Sequence, residues 1–146
     1  MRAVIQRVKK ADVKVSSKEV SSINEGFLIL LAVHKDDKEE TIKKMAEKIV
    51  KLRIFEDKEG KMNLDIKEID GEILLVSQFT LYGNANKGNR PSFIDSARPE
   101  KAEPYYVKMV EEFKSLGIKK VATGSFGDFM EVSSINNGPT TIILDL

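Results

Sequence analysis

The stretch Gly26-Phe27-Leu28-Ile29-Leu30-Leu31-Ala32-Val33 decides the fold class of this chain. It is a nearly continuous apolar run, which is typical of a central strand covered on both faces. Before it, residues 3–8 and 11–15 alternate apolar and polar side chains, the pattern of strands with one buried face. The N-terminal part of the chain is therefore predicted to form a β-sheet around residues 26–33.

Two helical patterns follow this sheet. Apolar residues recur at helical spacing over residues 37–53, and Asp36 and Glu39 stand where they can cap free N–H groups at the start. A second amphipathic helix is predicted over residues 98–116, with Gly117 as its C-terminal stop.

The remaining segments return to strand. The turn residues Asp70-Gly71 give a hairpin signal before the apolar run Ile73–Val76. The polar, turn-rich residues 83–96 are predicted to be a surface loop. Further strands are expected at residues 119–122, 129–135 and 140–146. This order of elements predicts an α+β sheet protein.

Length and composition restrict the function classes. A chain of 146 residues has the size of one domain, so residues 1–146 are expected to form a single unit. Cysteine is absent and His34 is the only histidine, which excludes disulfides and Cys/His zinc sites. No stretch approaches the roughly 20 apolar residues of a membrane span. We therefore expect a soluble, cytoplasmic protein without a metal, a cofactor or a membrane partner.

The charge is nearly balanced, since 24 Lys and Arg face 23 Asp and Glu. This balance is not typical of a protein that grips a long nucleic acid electrostatically. Local basic patches are present, however, and they either hold the end of a nucleic acid or belong to an ordinary solvated surface. They comprise Arg2, Arg7, Lys9, Lys10 and Lys14 in the first segment, and Lys87 and Arg90 in the loop.

Two short segments stand out chemically. Ser77-Gln78-Phe79-Thr80 places hydrogen-bonding groups at the end of an apolar strand, and Gly138-Pro139 interrupts a β-branched run. Each segment also has a plain structural interpretation, as a strand edge and as a turn. A Ser-His-Asp triad built on His34 is disfavoured, because a histidine at the end of an apolar strand more often makes a structural hydrogen bond.

Together these segments resemble the signature motifs of the D-aminoacyl-tRNA deacylases, which hydrolyse D-amino acids off tRNA and carry SQFTL and NxGPVT. Residues 77–81 match the first motif in full, and residues 136–141 match the second except at Thr140, where the family usually has Val. Asp128-Phe129 also departs from the family, which usually has Ala and then a variable residue. The similarity extends through residues 6–8, 52–57, 61–63, 89–93 and 123–127.

The resemblance implies a compact α+β domain with a curved antiparallel or mixed, barrel-like sheet, two main helices and a homodimeric assembly. It implies that Ser77, Gln78, Phe79 and Thr80 form the catalytic segment. It also implies that Gly138 and Pro139, joined by a cis bond, form a chiral wall in the partner's pocket. Substrate-binding roles are carried over to Arg7, which orients the wall, and to Phe126, Ala102 and Met130.

The implied activity is hydrolysis of the ester in D-aminoacyl-tRNA, with L-amino acids excluded sterically and glycyl-tRNA at least partly accepted. The amides of Phe79 and Thr80 are expected to stabilise the oxyanion, and the 2′-hydroxyl of the terminal ribose to assist water. Thr80 as a covalent nucleophile is the rival mechanism. Two other functions stay open: a non-catalytic dimeric module that binds a nucleic-acid end, and a small-molecule esterase that uses Ser77 or Thr80.

Overall fold

The computed structural model describes every residue from Met1 to Leu146. The chain forms eight strands, two α-helices and one 3₁₀ helix. The strands are β1 (Arg2–Val15), β2 (Lys18–Ile23), β3 (Gly26–Ala32), β4 (Phe55–Glu56), β5 (Met62–Leu64), β6 (Glu72–Ser77), β7 (Val121–Thr123) and β8 (Glu131–Asp145). The helices are α1 (Glu40–Val50), the 3₁₀ helix (Phe79–Tyr82) and α2 (Pro99–Ser115).

Strand β3 is the centre of the main sheet, as its apolar run predicts. It pairs antiparallel with β1 and parallel with β6, and the strand order is β2-β1-β3-β6-β7. Strand β8 pairs with the other side of β1. The sheet is therefore mixed, and the segment that ends at Ser77 lies three strands away from β8.

The sheet curves until its two ends approach each other. The hydroxyl of Ser21 in β2 donates to the carbonyl oxygen of Thr123 in β7, at 2.6 Å. Seven buried apolar side chains fill the space that the curved sheet encloses: Val8, Ala11, Val13, Ile23, Leu28, Leu74 and Val76. The barrel-like α+β fold predicted from the resemblance is confirmed.

Both helices pack on the outer face of the sheet and form the larger core with it. In α1 the buried side chains are Ile42, Met45, Ala46, Ile49 and Val50, as the helical spacing predicts. In α2 they are Tyr106, Met109 and Phe113. Gly117 ends α2 with φ +94°, a conformation that a side chain disfavours. No helix of the chain is both long and apolar enough to cross a membrane.

The predicted caps of α1 are wrong. The helix begins at Glu40, and Glu39 makes no side-chain cap but pairs with Lys108 of α2 at 2.6 Å. Asp36 is exposed, and its carboxylate lies 3.7 Å from Nδ1 of His34. The turn before the helix is instead held by Asp37, whose carboxylate accepts the backbone N–H of His34 at 2.7 Å. Tertiary pairing between helices attracts the acidic side chain away from the helix end.

Three strand predictions also differ in connectivity. Residues 3–8 and 11–15 belong to the single long strand β1, and the two strands predicted after residue 128 form the single strand β8. Asp70 adopts φ +53° and does form a turn, but no hairpin follows. Strand β6 pairs in parallel with β3 and β7, because the intervening α1 and α2 carry the chain back to the same end of the sheet.

Candidate active site

The segment Ser77–Thr80 leaves the sheet at the end of its most buried part. Ser77 is the last residue of β6 and lies opposite Leu31 of β3. The amide of Gln78 donates to the carbonyl oxygen of Leu31 at 2.8 Å, which fixes the direction of the chain at this point. The backbone then enters the 3₁₀ helix, where Phe79 and Thr80 are exposed to solvent. A rigid strand thus presents exposed backbone and side-chain groups.

The amides at the start of the 3₁₀ helix are available to a ligand. Neither the Phe79 nor the Thr80 amide donates to a backbone carbonyl in the surrounding turns and loops. The Ser96 hydroxyl donates to the Phe79 carbonyl oxygen at 2.7 Å. Because that carbonyl and the Thr80 N–H belong to the same peptide unit, this hydrogen bond polarises the N–H and strengthens it as a donor.

Thr80 has no base beside its hydroxyl. Its Oγ1 accepts a hydrogen bond from the side-chain amide of Gln78 at 2.5 Å. An amide N–H group donates a proton and cannot remove one, so this contact orients the hydroxyl without activating it. His34 supplies no base either, because its Nδ1 accepts the backbone N–H of Asp36 at 3.2 Å. Within one chain the Thr80 hydroxyl therefore contacts an orienting amide and neither of these side chains acts on it as a base.

The loop of residues 83–96 is exposed, as predicted, and its ends are fixed. Asn84 and Ser92 exchange two backbone hydrogen bonds at 2.8 and 2.9 Å, and Phe93 packs edge-on against Phe79 at 5.2 Å. Lys35 pairs with Asp95 at 2.7 Å, and this ammonium group lowers the pKa of the Asp95 carboxyl. The base of the loop is therefore fixed against the start of the 3₁₀ helix, and the basic residues Lys87 and Arg90 lie in its exposed tip.

Gly138 and Pro139 lie in an interruption of β8. Asn136 is opposite Val8 and Thr141 is opposite Gln6, so residues 137–140 have no partner in β1. The Gly138–Pro139 peptide bond is cis, as the resemblance implies, and both residues are exposed.

Arg7 occupies the gap in the β1–β8 ladder. Its guanidinium is 4% exposed and donates to the carbonyl oxygens of Asn137 at 3.0 Å and Ile54 at 2.6 Å. Glu56 lies 3.6 Å from the same group. Arg7 thus ties the residue before Gly138 to the segment after α1, which is the contact expected of a residue that orients this loop.

Three other predicted residues lie at different places around the sheet. Phe126 and Ala102 are partly buried against the larger core, and Met130 packs against the enclosed barrel cluster. The thioether of Met130 accepts the amide of Ser125 at 3.3 Å. The carboxylate of Asp128, one of the two departures from the family, accepts the Ser125 hydroxyl and so closes its own turn.

Within one chain the two signature segments do not meet. Strands β1 and β3 separate β8 from β6, so Gly138-Pro139 lies about 14 Å across the sheet from the Ser77 strand. The two segments are also offset along the strands, because Ser77 is level with Leu144 through Leu31 and Ala3. A site that used both segments would need a second copy of the chain.

Sequence reasoning missed two residues of this region, Ser96 and Tyr106. Ser96 holds the Phe79 carbonyl, and the buried Tyr106 packs against Phe126 with ring centroids 5.8 Å apart. The sequence carries no signal for Ser96, which is an ordinary polar loop residue. Tyr106 was recognised only as part of an apolar helix face. No group of three or more His, Cys, Asp or Glu side chains lies together where it could hold a metal ion.

The fold and these segments define a family of hydrolases. The family model described as D-Tyr-tRNA(Tyr) deacylase matches residues 4–145, and the chain belongs to this family. It is 54% identical to the D-aminoacyl-tRNA deacylase of Thermosipho africanus, over 99% of this chain and 97% of the relative. It is 57% identical to the D-aminoacyl-tRNA deacylase of Dictyoglomus turgidum, over 99% of this chain and 92% of the relative.

Two solved structures share this fold. A protein described as c-Myc DNA Unwinding Element Binding Protein superposes with a TM-score of 0.95 at 37% identity, covering 100% of this chain and 99% of that one. A probable eukaryotic D-amino acid tRNA deacylase has a TM-score of 0.86 at 18% identity, covering 99% and 98%. The second likeness establishes the shared fold.

Proposed function

We propose that this protein hydrolyses the ester bond of D-aminoacyl-tRNA and releases the free D-amino acid and tRNA. Membership of the D-Tyr-tRNA(Tyr) deacylase family supports D-aminoacyl-tRNA as the class of substrate. The single observation that carries the chemistry is the pair of amides of Phe79 and Thr80 at the end of β6, neither of which donates to a backbone carbonyl in the surrounding turns and loops. Two N–H groups on a rigid strand end match what an acyl-transfer oxyanion requires, and each such donor contributes about 3–4 kcal/mol in other hydrolases.

Water is the nucleophile in this mechanism. An aminoacyl ester is intrinsically labile, so positioning and charge stabilisation suffice where a peptidase would need an activated nucleophile. Gln78 orients the Thr80 hydroxyl but cannot take its proton. The 2′-hydroxyl beside the ester is then the proton relay, and it is supplied by the substrate.

Selectivity for the D-isomer comes from exclusion by Gly138 and Pro139 of a second copy. The separation of the two segments within one chain supports a homodimer in which each copy completes the other's pocket. Strand β8 also exposes Val132, Ile135 and Ile143, apolar side chains that a second copy can cover. An L side chain is driven into the wall, whereas glycine has no side chain to exclude. Glycyl-tRNA is therefore accepted in part.

The first experiment compares release of D-tyrosine and L-tyrosine from tyrosyl-tRNA by Phe79→Pro and Phe79→Ala. Phe79 begins the 3₁₀ helix, where proline is tolerated, and Gln78 before it already lies outside the helical region, with φ −148° and ψ 75°. Both variants lose the ring, and only proline loses the amide proton. We expect D-specific hydrolysis, slower in Phe79→Pro than in Phe79→Ala by about 10²–10³-fold. Equal rates would exclude the Phe79 amide as an oxyanion donor.

Subunit mixing tests the shared pocket. Phe79→Pro and Gly138→Ala impair different segments, so a mixed dimer contains one pocket with both defects and one pocket with neither. We expect each variant alone to be about 100-fold slower than the wild type or worse, and the mixture, after dissociation and reassociation, to recover a large part of the wild-type activity. Absence of recovery in a dimer shown to exchange subunits would exclude a pocket that is shared between the two copies.

A second candidate is a module that binds a nucleic-acid end without hydrolysis. The relative described as a DNA-unwinding-element binding protein and the exposed basic residues Lys87 and Arg90 favour it. Hydrolysis distinguishes the two functions, because only a deacylase releases an amino acid from tyrosyl-tRNA. If purified protein binds tRNA but releases neither D- nor L-tyrosine, the binding module is the better account.

A further inference from the structure

We infer that Tyr106 is a positioning residue, which holds the end of β6 and the loop of Phe126 in register for the reaction. This inference rests on the proposed function for its kinetic consequence. Tyr106 lies on the inner face of α2 and is 6% exposed. Nothing in its sequence position distinguishes it from the other apolar residues of that helix face.

The first contact of Tyr106 is with the strand that feeds the catalytic segment. Its hydroxyl donates to the carbonyl oxygen of Leu75 at 2.6 Å. Leu75 is opposite Thr123, the last pair of the β6–β7 ladder, and its carbonyl also accepts the amide of Gly124 at 2.9 Å. Beyond this point β6 continues to Ser77 without β7 beside it. The hydroxyl therefore reinforces β6 where the ladder on that side ends.

The second contact is with the loop after β7. The ring of Tyr106 packs against Phe126, with centroids 5.8 Å apart and planes inclined by 52°. One side chain thus touches both the strand leading to Ser77 and the loop that carries Phe126. Because the side chain is anchored in the larger core, a change at its hydroxyl alters the spacing between these two segments while the core stays filled.

The hydroxyl serves as a fixed donor. Burial raises the pKa of Tyr106 well above its usual value of 10.0, so the group is protonated at neutral pH. At 6% exposed, it is poorly placed to exchange protons with solvent as a general acid or base would. The Tyr106 hydroxyl therefore acts by holding the position of β6 and not by transferring a proton.

The neighbouring Tyr105 offers a matched control. Its hydroxyl also donates to a backbone carbonyl, that of Asp37 at 3.2 Å, and Asp37 lies in the turn before α1. Tyr105→Phe and Tyr106→Phe each remove one such hydroxyl from the same helix and retain the ring. Only the second removes a contact with the strand that leads to Ser77.

The test measures kcat and KM for D-tyrosyl-tRNA in both variants, together with the amide chemical shifts of residues 77–80. We expect Tyr106→Phe to lower kcat by about tenfold with KM within twofold, because a displacement of the reacting groups costs rate more than binding. Tyr105→Phe should resemble the wild type, and thermal midpoints of the two variants should be similar. In Tyr106→Phe the shifts of residues 77–80 should move.

A kcat for Tyr106→Phe equal to that of Tyr105→Phe, with unmoved amide shifts at residues 77–80, would overturn the inference. Failure of the proposed function gives a different result, since the wild type itself would then release no D-tyrosine. In that case the amide shifts still decide whether Tyr106 positions the segment.

Discussion

Gly138→Ala is the substitution whose effect follows most directly from the geometry. A Cβ at this position would lie 2.7 Å from the Thr140 hydroxyl oxygen and 2.8 Å from the Arg7 guanidinium, whereas ordinary contacts lie at 3.4–4 Å. Gly138 also has φ +124°, which an L residue rarely adopts. The backbone at residue 138 must therefore move when a methyl group is added.

The contacts around Gly138 decide in which direction its backbone moves. Arg7 is buried and held by two carbonyl oxygens, so it cannot withdraw easily. Residues 137–140 have no opposite residue in the β1 ladder, so an outward shift breaks no ladder pair but stretches the hydrogen bond from Arg7 to the Asn137 carbonyl. Forcing an L residue into such a conformation costs about 1–3 kcal/mol, and relaxation of an exposed segment keeps the loss of global stability within that range. A shift of about 1 Å in a substrate-positioning segment costs about 10²-fold in rate.

Gly60→Ala is the matched control. Gly60 also has a positive φ, +77°, but a Cβ there meets nothing within 4 Å, and the residue lies in the β4–β5 turn. We expect kcat/KM for D-tyrosyl-tRNA to fall about 100-fold in Gly138→Ala and to stay near the wild-type value in Gly60→Ala. Thermal unfolding checks that both variants are folded. A folded Gly138→Ala variant within threefold of wild-type activity would refute the reasoning.

Three further outcomes are expected. Arg7→Met should lower the free energy of unfolding by about 2–5 kcal/mol in urea titrations, because two buried carbonyl oxygens lose their donor; an unchanged midpoint would contradict this. Ser96→Ala should lower kcat several-fold with a small change in thermal midpoint, because the Phe79 carbonyl loses its polarising hydroxyl; unchanged kcat would show that the polarisation is unimportant. Burial of Glu72 opposes its ionisation, but hydrogen bonds from a backbone amide and Lys120 outweigh this effect and lower its pKa below 4.5. The stability that ionised Glu72 contributes is therefore present above pH 4.5 and is lost as the pH falls through its lowered pKa, so Glu72→Gln should destabilise the protein by about 1 kcal/mol at pH 7, and this difference should shrink as the pH is lowered below 4.5.

Much of the local structure could be predicted from side-chain pattern. The apolar run at residues 26–33 is buried except for the half-buried Leu30, and Tyr106, Met109 and Phe113 face the core because they recur at helical spacing. Which strands pair with each other could not be predicted from side-chain pattern. Asp70-Gly71 forms a turn without a hairpin, because the turn residues fix local dihedral angles and not the strand that β6 joins.

The residues of the candidate site also fall into two groups, those that the sequence marks and those that only the structure reveals. Residues 77–80 are conspicuous in the sequence because hydrogen-bonding residues follow an apolar strand there, and residues 138–139 because Gly-Pro interrupts a β-branched run. Ser96 and Tyr106 are not, since each acts on a backbone carbonyl of a residue distant in sequence, Phe79 and Leu75 respectively. A backbone acceptor has no side-chain identity, so no pattern in the sequence marks its donor.

The sequence by itself thus determined the buried central strand, the two amphipathic helices and the two segments that carry the family resemblance. All of these depend on short-range spacing or residue type. The tertiary structure alone decided that β6 runs parallel to β3, that Arg7 fills the gap in the β1–β8 ladder, and that the two segments lie apart in one chain. These features depend on long-range strand pairing and on hydrogen bonds to backbone atoms, which local sequence pattern does not encode.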